Sequence, residues 1–456
     1  MNLYEIIHPV YKWPDDETLH VFETFAGVGA QAKSLERLNV SHVITGISEI
    51  DKDAILSYAA IHCGLNDKVD SYVFPERETM IRALQEMDVG FDFKNDRHTI
   101  TEKTRPAILK KYYLANILSG NLGNISHIHA ADLPEVDLLT YSFPCQDLSK
   151  AGRMKGMDKN DHTRSGLLWE IERILEEAQR LDRLPKLLLM ENVPEVVGTR
   201  NRHNFMSWFY KLETLGYQSF FKIVDAADHG IPQHRERCFM ISILGEYSYR
   251  FPAGRKLHIQ MKDLLEEKVD IRYFQTYRSV CNFLTSHKEK EIGAQPTLDK
   301  GAMPEKMEVV RIRQNQPKNS IICINSFLKN GSRVSQTNRI LDSEGIAVTL
   351  TTGYTGYYLV SDERVSEKYI SSHHVEKITL EGRELGVING RLVRRLTPLE
   401  AFRLMGFDDQ DVEEMRKAGV SEVQLIRQAG NSIVVDVLEA LLGQLFNKKG
   451  ESWNKI

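Results

Sequence analysis

Apolar residues gather in short runs along the first half of the chain, and polar loops or helical patterns separate these runs. The runs predict strands over 20–25, 42–47, 136–141 and 185–190. Apolar residues spaced three and four apart predict helices over 31–38 and 167–175. This alternation predicts an α/β fold with a doubly wound, Rossmann-like sheet, in which ligands bind at the carboxyl ends of the strands.

The rest of the pattern divides the chain into segments. Residues 64–126 interrupt the alternation as a helical insertion within a first domain, 1–254. Residues 255–390 lack long helical periodicity, which predicts a smaller, mostly irregular or β domain. From 391 to 456 the chain is helical again and is expected to pack back on the first domain. The remaining predicted elements are strands over 128–132, 222–225 and 238–243, helices over 397–406 and 434–446, and a turn over 428–433.

Composition limits the class of protein. Hydrophobic residues make up 42% and charged residues 27%, as in ordinary globular proteins. No run approaches the ~20 apolar residues of a membrane span, and we expect no secretion, because the first residues have neither a basic nor an apolar region. The five cysteines are widely spaced, which argues against a disulfide framework and a zinc site: Cys63, Cys145, Cys238, Cys281 and Cys323. We therefore expect a cytoplasmic protein with no metal and no membrane contact.

A glycine-containing turn follows the first predicted strand. Phe25, Gly27 and Gly29 form an FxGxG pattern, and Glu49 ends the next strand. Glycines let the backbone approach a ligand, and an acid about 20 residues later is placed to bind a ribose. The third glycine of the dinucleotide fingerprint is missing, so a nucleoside without a pyrophosphate fits better, and S-adenosylmethionine is the obvious one. A simple tight turn is the alternative.

A cysteine and an acid mark the ends of two other predicted strands. Pro144 cannot continue a central strand, which places Cys145 on the loop above the sheet. Considered alone, Cys145 is better interpreted as a small buried hydrophobe, as most free cysteines are, and the flanking Pro144 and Gln146 favour a functional role instead. Glu191 ends the apolar strand 185–190, where a carboxylate is costly to bury without a purpose.

Three further features each allow either a functional or a purely structural interpretation. Asp132 ends the predicted strand 128–132, where it would accept a hydrogen bond from an adenine or cap a turn. Alternation places Gln233, Arg235 and Arg237 in one row of donors, or on an exposed charged edge. The loop 146–165 is polar and basic, as in a phosphate-contacting lid or a plain solvated loop.

The predicted smaller domain contains a basic stretch. Residues 301–340 hold seven basic residues against two acidic ones. Four of its side chains suit contacts to bases and phosphates, although a solvated basic face would look similar: Arg333, Gln336, Asn338 and Arg339.

Taken together, these motifs resemble the DNA cytosine-5 methyltransferases. The matching residues are Phe25-Ala26-Gly27-Val28-Gly29, Glu49, Asp132, Pro144-Cys145-Gln146, Glu191-Asn192-Val193, Gln233-x-Arg235-x-Arg237, Arg395-Leu396-Thr397-Pro398-x-Glu400 and Gly430-Asn431-Ser432. They run in the family's order over about 20–247 and 391–447. The stretches 141–149 and 164–171 look most like CpG-type enzymes of wall-less bacteria, but this similarity does not indicate CpG specificity.

The resemblance implies a catalytic, cofactor-binding domain at 1–254, a target-recognition domain at 255–390, and site residues in three groups. Cys145, Glu191, Arg235 and Arg237 are catalytic. The residues that hold S-adenosylmethionine, which leaves as S-adenosylhomocysteine, are Phe25, Gly27, Gly29, Glu49, Ile50, Asp132, Pro144, Asn431 and Ser432. The residues that contact DNA are Gln146, Ser149, Arg164, Gln233, Arg333, Gln336, Asn338 and Arg339. Thr349-Leu350-Thr351 and Gly353 resemble the core segment of the recognition domain.

The residues also support the implied chemistry. Addition of a Cys145 thiolate to C6 of cytosine makes C5 nucleophilic, and Glu191 stabilises charge at N3. The base must be flipped out of the duplex. We expect a monomer that acts on double-stranded DNA, with a restriction endonuclease of the same target as a further partner. A tRNA methyltransferase and a non-catalytic DNA-binding regulator are the alternatives.

Overall fold

The computed structural model describes residues 8–144, 164–285, 320–325, 336–365 and 375–448. Its strands are β1 (Leu19–Thr24), β2 (His42–Ser48), β3 (Phe91–Asp92), β4 (Arg97–His98), β5 (Leu138–Tyr141), β6 (Leu187–Asn192), β7 (Tyr217–Asp225), β8 (Gln233–His234), β9 (Glu236–Leu244), β10 (Ile340–Asp342), β11 (Ala347–Val348), β12 (Tyr357–Val360), β13 (Val375–Leu380), β14 (Arg383–Ile388) and β15 (Arg391–Arg394).

The helices are α1 (Ala30–Arg37), α2 (Lys52–His62), α3 (Leu65–Lys68), α4 (Arg77–Glu86), α5 (Pro106–Leu118), α6 (Leu168–Arg180), α7 (Arg202–Thr214), α8 (Tyr277–Thr285), α9 (Pro398–Arg403), α10 (Asp409–Ala418), α11 (Glu422–Asn431) and α12 (Val435–Phe446).

A six-stranded sheet forms the centre of the molecule, in the order β2-β1-β5-β6-β9-β7. The first four strands in this order run parallel, and β9 is antiparallel to both of its neighbours. Alternate residues of β6 enter different cores: Leu187 and Leu189 pack with α1, α2 and α12, whereas Leu188 and Met190 pack with α6 and α7. Both faces are therefore covered by helices, which confirms the doubly wound sheet.

A second, five-stranded sheet has the order β10-β12-β15-β14-β13. One face packs against α8 through Val280 and Cys281, and the other face contributes Tyr358 and Val387 to the main core. The strand β15, Arg391–Arg394, belongs to this sheet, although the sequence placed it in the returning segment. The pairing of β15 with β12 and β14 outweighs the helical pattern that follows it.

Glu400, at the start of the returning segment, is fully buried. Its carboxylate accepts hydrogen bonds from the guanidinium of Arg394 at 2.6 and 2.7 Å and from the backbone N–H of Glu266 at 2.8 Å. Arg394 ends the second sheet, and Glu266 lies near the beginning of the segment that carries it. One carboxylate thus holds both ends of this segment together.

The C-terminal helix packs on the first helix of the main sheet, as expected. Arg37 of α1 lies 3.2 Å from the carboxylate of Glu439 of α12 and 2.8 Å from that of Asp408. The stretch Glu422–Phe446 is apolar and long enough to cross a membrane, yet 89% of its most apolar window is buried inside the fold. That burial is typical of core helices.

Several local predictions were incomplete or wrong. The segment 64–126 is mainly helical as predicted, but it also holds the β3–β4 hairpin. The predicted strand 128–132 is instead a single 3-10 turn, Ala130–Asp132, and the predicted turn 428–433 includes the end of α11. The helices that were not predicted are α2, α7, α8, α10 and most of α11.

Candidate functional site

The turn after β1 takes a left-handed backbone at three positions. Phe25, Gly27 and Gly29 have φ values of 55°, 57° and 79°. A Cβ on Gly29 would lie 2.4 Å from the imidazole Nε2 of His62, whereas a Cβ on Gly27 would meet no described atom within 4 Å. Gly29 is therefore required by packing, and the space at Gly27 is open for a ligand to approach the backbone.

Glu49 faces this turn from the end of β2. Its carboxylate accepts hydrogen bonds from the backbone N–H groups of Gly27 at 3.0 Å, Ile50 at 2.8 Å and Asp51 at 2.9 Å. Burial raises the pKa of Glu49, with a further contribution from Asp51, and the backbone donors oppose the rise. Oriented in this way, the carboxylate has lone pairs left for the hydroxyls of a ribose.

Asn121 is a positioning residue that the sequence analysis missed. Its side-chain oxygen accepts from the backbone N–H of Glu49 at 2.9 Å, and its Nδ2 donates to the backbone carbonyl of Glu49 at 2.9 Å. The side chain of Asn121 is buried, and the backbone of Asn121 forms a β-bridge with Ile47. The end of the segment 64–126 therefore holds the Glu49 backbone in place, a link that no local sequence pattern signals.

Glu191 lies at the carboxyl end of β6, and its side chain is 12% exposed. The Nε of Arg237 lies 3.1 Å from its Oε1, because β9 runs antiparallel to β6 and brings Arg237 alongside. Burial raises the pKa of Glu191, while Arg237 and then Arg235 lower it. The acid is thus held beside a cation, and its pKa nevertheless lies above the ordinary value of a glutamate.

Asn192 connects this acid to the strand that leads to Cys145. Its Nδ2 donates to the backbone carbonyl of Phe143 at 2.9 Å, and its Oδ1 accepts from the N–H of Val193 at 2.9 Å. Pro144 is the last described residue before a gap. Cys145, Gln146 and Ser149 lie outside the described residues, as do Arg333 and the side chain of Arg164.

Three of the described cysteines are poor nucleophiles. Burial raises the pKa of Cys63 to about 11 and that of Cys238 to about 12, and it also raises that of Cys281. Thiols with such pKa values stay protonated near neutral pH. None of these three thiols is therefore suited to the nucleophilic role predicted for Cys145.

The predicted row of donors does not face one ligand. The side chain of Gln233 is fully buried: its Nε2 donates to the carbonyl of Leu404 at 2.9 Å, and its Oε1 accepts from the N–H of Leu350 at 3.0 Å. A DNA contact by Gln233 is therefore not supported. The pairing of β8 with β11 turns this side chain inward.

Arg235 is likewise engaged by the backbone. Its guanidinium donates to the carbonyls of Leu350 at 2.9 Å, Gly430 at 3.0 Å and Ser432 at 2.7 Å. Arg235 is thus a positioning residue rather than a group that touches the reacting atoms. Together with Gln233 it fastens three separate parts of the chain, which we call the QxRxR clasp.

The side chain of Asp132 also has a local role. Its carboxylate accepts from the backbone N–H of His129 at 2.8 Å and caps the turn, which is the alternative that the sequence left open. Asn431 ends α11 with an exposed side chain, and the hydroxyl of Ser432 donates to the carbonyl of Ile433. Both lie beside the clasp.

The predicted DNA-contacting residues of the second sheet are described in part. A single 3-10 turn before β10 contains Gln336 and Asn338, and Arg339 follows it. Gln336 is exposed. In the part of the chain that the structure describes, no group of His, Cys, Asp and Glu side chains could hold a metal ion.

The chain is similar to proteins of known family. Residues 83–447 match the family model described as C-5 cytosine-specific DNA methylase. The chain is 33% identical over 432 residues to the type II methyltransferase M2.ScrFI of Lactococcus lactis subsp. cremoris, an alignment that covers 94% of this chain and 100% of the relative. It is 34% identical over 433 residues to the orphan methyltransferase M.SssI of Spiroplasma monobiae, covering 94% and 97%.

Solved structures share the fold at lower identity. The Entamoeba histolytica methyltransferase EhMeth aligns with a TM-score of 0.56 at 16% identity, over 95% of this chain and 99% of that one. The Dnmt2 methyltransferase of S. pombe aligns with a TM-score of 0.53 at 17% identity, over 94% and 98%.

Proposed function

We propose that this chain, which belongs to the C-5 cytosine-specific DNA methylase family, methylates C5 of cytosine within a specific sequence of double-stranded DNA. The observation that carries this proposal is the Glu191–Arg237 pair, joined through Asn192 to the strand end that leads to Cys145. The proposed site for S-adenosylmethionine is the turn at Gly27 and the carboxylate of Glu49. When bound there, this cofactor supplies an electrophilic methyl group.

The chain's own residues prepare the base for that methyl group. The Cys145 thiolate adds to C6 of a cytosine flipped out of the duplex. As the adduct forms, Glu191 protonates or hydrogen-bonds N3, which its raised pKa and buried position favour. Arg237 holds Glu191 in position and offers positive charge to the ring. Loss of the C5 proton and elimination of Cys145 then release the product.

A covalent trap tests this mechanism. Fluorine in place of the C5 proton cannot leave, so duplex DNA with 5-fluorocytosine should remain bound to the wild-type protein in the presence of S-adenosylmethionine. Cys145→Ala should form no such complex, and Cys323→Ala, which changes a cysteine of another region, should form it normally. A complex that survives in Cys145→Ala would refute the mechanism.

Bisulfite sequencing of DNA from cells that express the protein would report activity and target sequence together. Methylation of tRNA with none of duplex DNA would instead support the RNA alternative. We further propose a cytoplasmic, monomeric enzyme that protects its host's DNA from a restriction endonuclease of the same target. Loss of viability on introduction of that endonuclease without the methyltransferase would support this role.

A further inference from the structure

Three exposed basic residues follow the strand that carries Glu191. Arg200, Arg202 and His203 lie at the beginning of α7, and all three are exposed. No acidic residue occurs in the sequence between Glu195 and Glu213. These three residues form what we call the α7 basic cluster.

The charges of the α7 basic cluster are not balanced by the protein. Within the described ranges, none of the three makes an ion pair or a side-chain hydrogen bond, whereas Arg173 and Arg391 each contact a carboxylate. The first turn of α7 contains no acid. Cations at a helix N-terminus are disfavoured by the positive end of the helix dipole. This arrangement therefore lowers the stability of the fold, and no contact among the described residues compensates for it.

The cluster is held at the edge of the sheet where the candidate active site lies. The chain leaves β6 at Asn192, and α7 then runs back toward the beginning of β7, so α7 must begin at the carboxyl edge of the parallel strands. Glu191 and the start of α7 therefore share one edge.

A compact turn fixes the cluster relative to Glu191. The Nδ2 of Asn201 donates to the carbonyl of Glu195 at 2.8 Å, and the backbone N–H of Asn201 donates to the carbonyl of Gly198 at 3.0 Å. The side chain of Asn201 is buried between two exposed arginines. The arginines are thus presented outward from a rigid support, which suits a ligand of fixed spacing.

We propose that Arg200 and Arg202, assisted by His203, bind backbone phosphates of the duplex next to the flipped cytosine. The inference rests on the proposed function, because it takes DNA to be the substrate. Phosphates are the ligand class that unpaired guanidinium groups recognise, and such contacts fix the register of the duplex without reading its sequence. The cluster would position the target strand over Glu191.

Salt dependence of DNA binding tests the assignment. The double variant R200Q/R202Q removes two charges from exposed positions, and binding of a labelled duplex is followed by fluorescence anisotropy between about 0.05 and 0.2 M salt. The slope of log Kd against log salt should become shallower by about two, one for each lost phosphate contact. Affinity should fall equally for cognate and non-cognate duplexes, and affinity for S-adenosylmethionine should not change.

R180Q is the matched control. Arg180 is 73% exposed in the last turn of α6 and lies at the opposite edge of the sheet, so its loss should leave the salt slope unchanged. An R200Q/R202Q slope equal to that of wild type or R180Q would overturn the proposal, as would a fall in kcat with DNA affinity and slope intact. If the wild type binds duplex DNA but methylates none, the proposed function fails, and the slope comparison still decides the phosphate contact.

Discussion

In the proposed mechanism, Glu191 is the described residue on which the chemistry most depends. E191Q keeps the shape of the side chain but removes the carboxyl group that can donate a proton or carry a negative charge. Methyl transfer should fall by about 10²- to 10⁴-fold, the usual contribution of a general acid, because Glu191 is the group placed to protonate N3. Single-turnover assays with labelled S-adenosylmethionine measure the effect.

Binding of the cofactor should be unchanged in E191Q, since Glu191 is not part of the turn at Gly27. E213Q, an exposed glutamate of α7, provides the matched control and should retain full activity. Activity of E191Q within a few-fold of wild type would remove Glu191 from the mechanism.

Glu23 makes a residue-scale prediction about pH. This carboxyl on β1 is fully buried, and burial raises its pKa from 4.5 to about 7. Between these values the unfolded chain releases the proton while the folded protein retains it, so stability falls as pH rises through this window. The loss is on the order of 3 kcal/mol and levels off above about pH 7.

E23Q should remove this dependence. Urea unfolding of wild type and variant at about pH 5, 6 and 7.5 would show the wild type losing stability relative to the variant across the series. Parallel pH profiles would mean that Glu23 does not hold a proton in the folded state.

At the scale of the element, the turn after β1 contains one glycine that packing requires and another that leaves space for a ligand. Gly27 and Gly29 both have left-handed backbones, so an alanine at either position carries a similar strain of about 1–2 kcal/mol. G29A should destabilise the protein further, because its Cβ overlaps His62 and Tyr58. G27A should lose only the stability that this backbone strain costs. It should nevertheless weaken S-adenosylmethionine binding, because its methyl group fills the open space.

Thermal unfolding and equilibrium binding of the two variants distinguish these effects. The expected order is G29A below G27A in melting temperature, and G27A with weakened cofactor binding while its fold is retained. Equal stabilities would show that the neighbours of Gly29 yield without cost.

Elements were predictable where one physical signal dominated. The apolar runs gave β1, β2, β5 and β6 within a few residues, since buried parallel strands must be apolar on both faces. The capped helix after Thr397 was equally clear, because Thr397 and Glu400 form a capping box around Pro398.

What the sequence did not reveal depends on contacts between distant segments. Asn121 looks like any turn residue until β2 is placed beside it, and nothing near Gln233 or Arg235 signals that their partners lie at 350, 404 and 430–432. Alternation predicted a shared row for Gln233, Arg235 and Arg237, but the first two side chains are buried and bonded to backbone groups of distant segments, whereas Arg237 contacts Glu191. Residue type identified the motif, and only tertiary structure assigned the roles.

For the whole molecule, the QxRxR clasp predicts how its parts are coupled. Q233A leaves the N–H of Leu350 and the carbonyl of Leu404 buried without their partner, which should cost about 2–4 kcal/mol. Hydrogen exchange should increase at residues 347–352 and 404–406 but not in β1 or β5. Uniform loss of protection across all of these segments would indicate global destabilisation instead.

The buried carboxylate of Glu400 has a consequence for the evolution of this protein. Because it receives Arg394 and the backbone of Glu266 together, the two ends of the segment between them are fixed side by side. The parts of this segment that do not pack on the main core can change in length and sequence while its two ends stay fixed, whereas Tyr358, Val387 and Leu350 are held by core contacts. If this segment is the target-recognition domain that the sequence resemblance implies, a new target specificity can arise from changes within one contiguous stretch of the gene, while Glu191 and the turn at Gly27 are inherited unchanged.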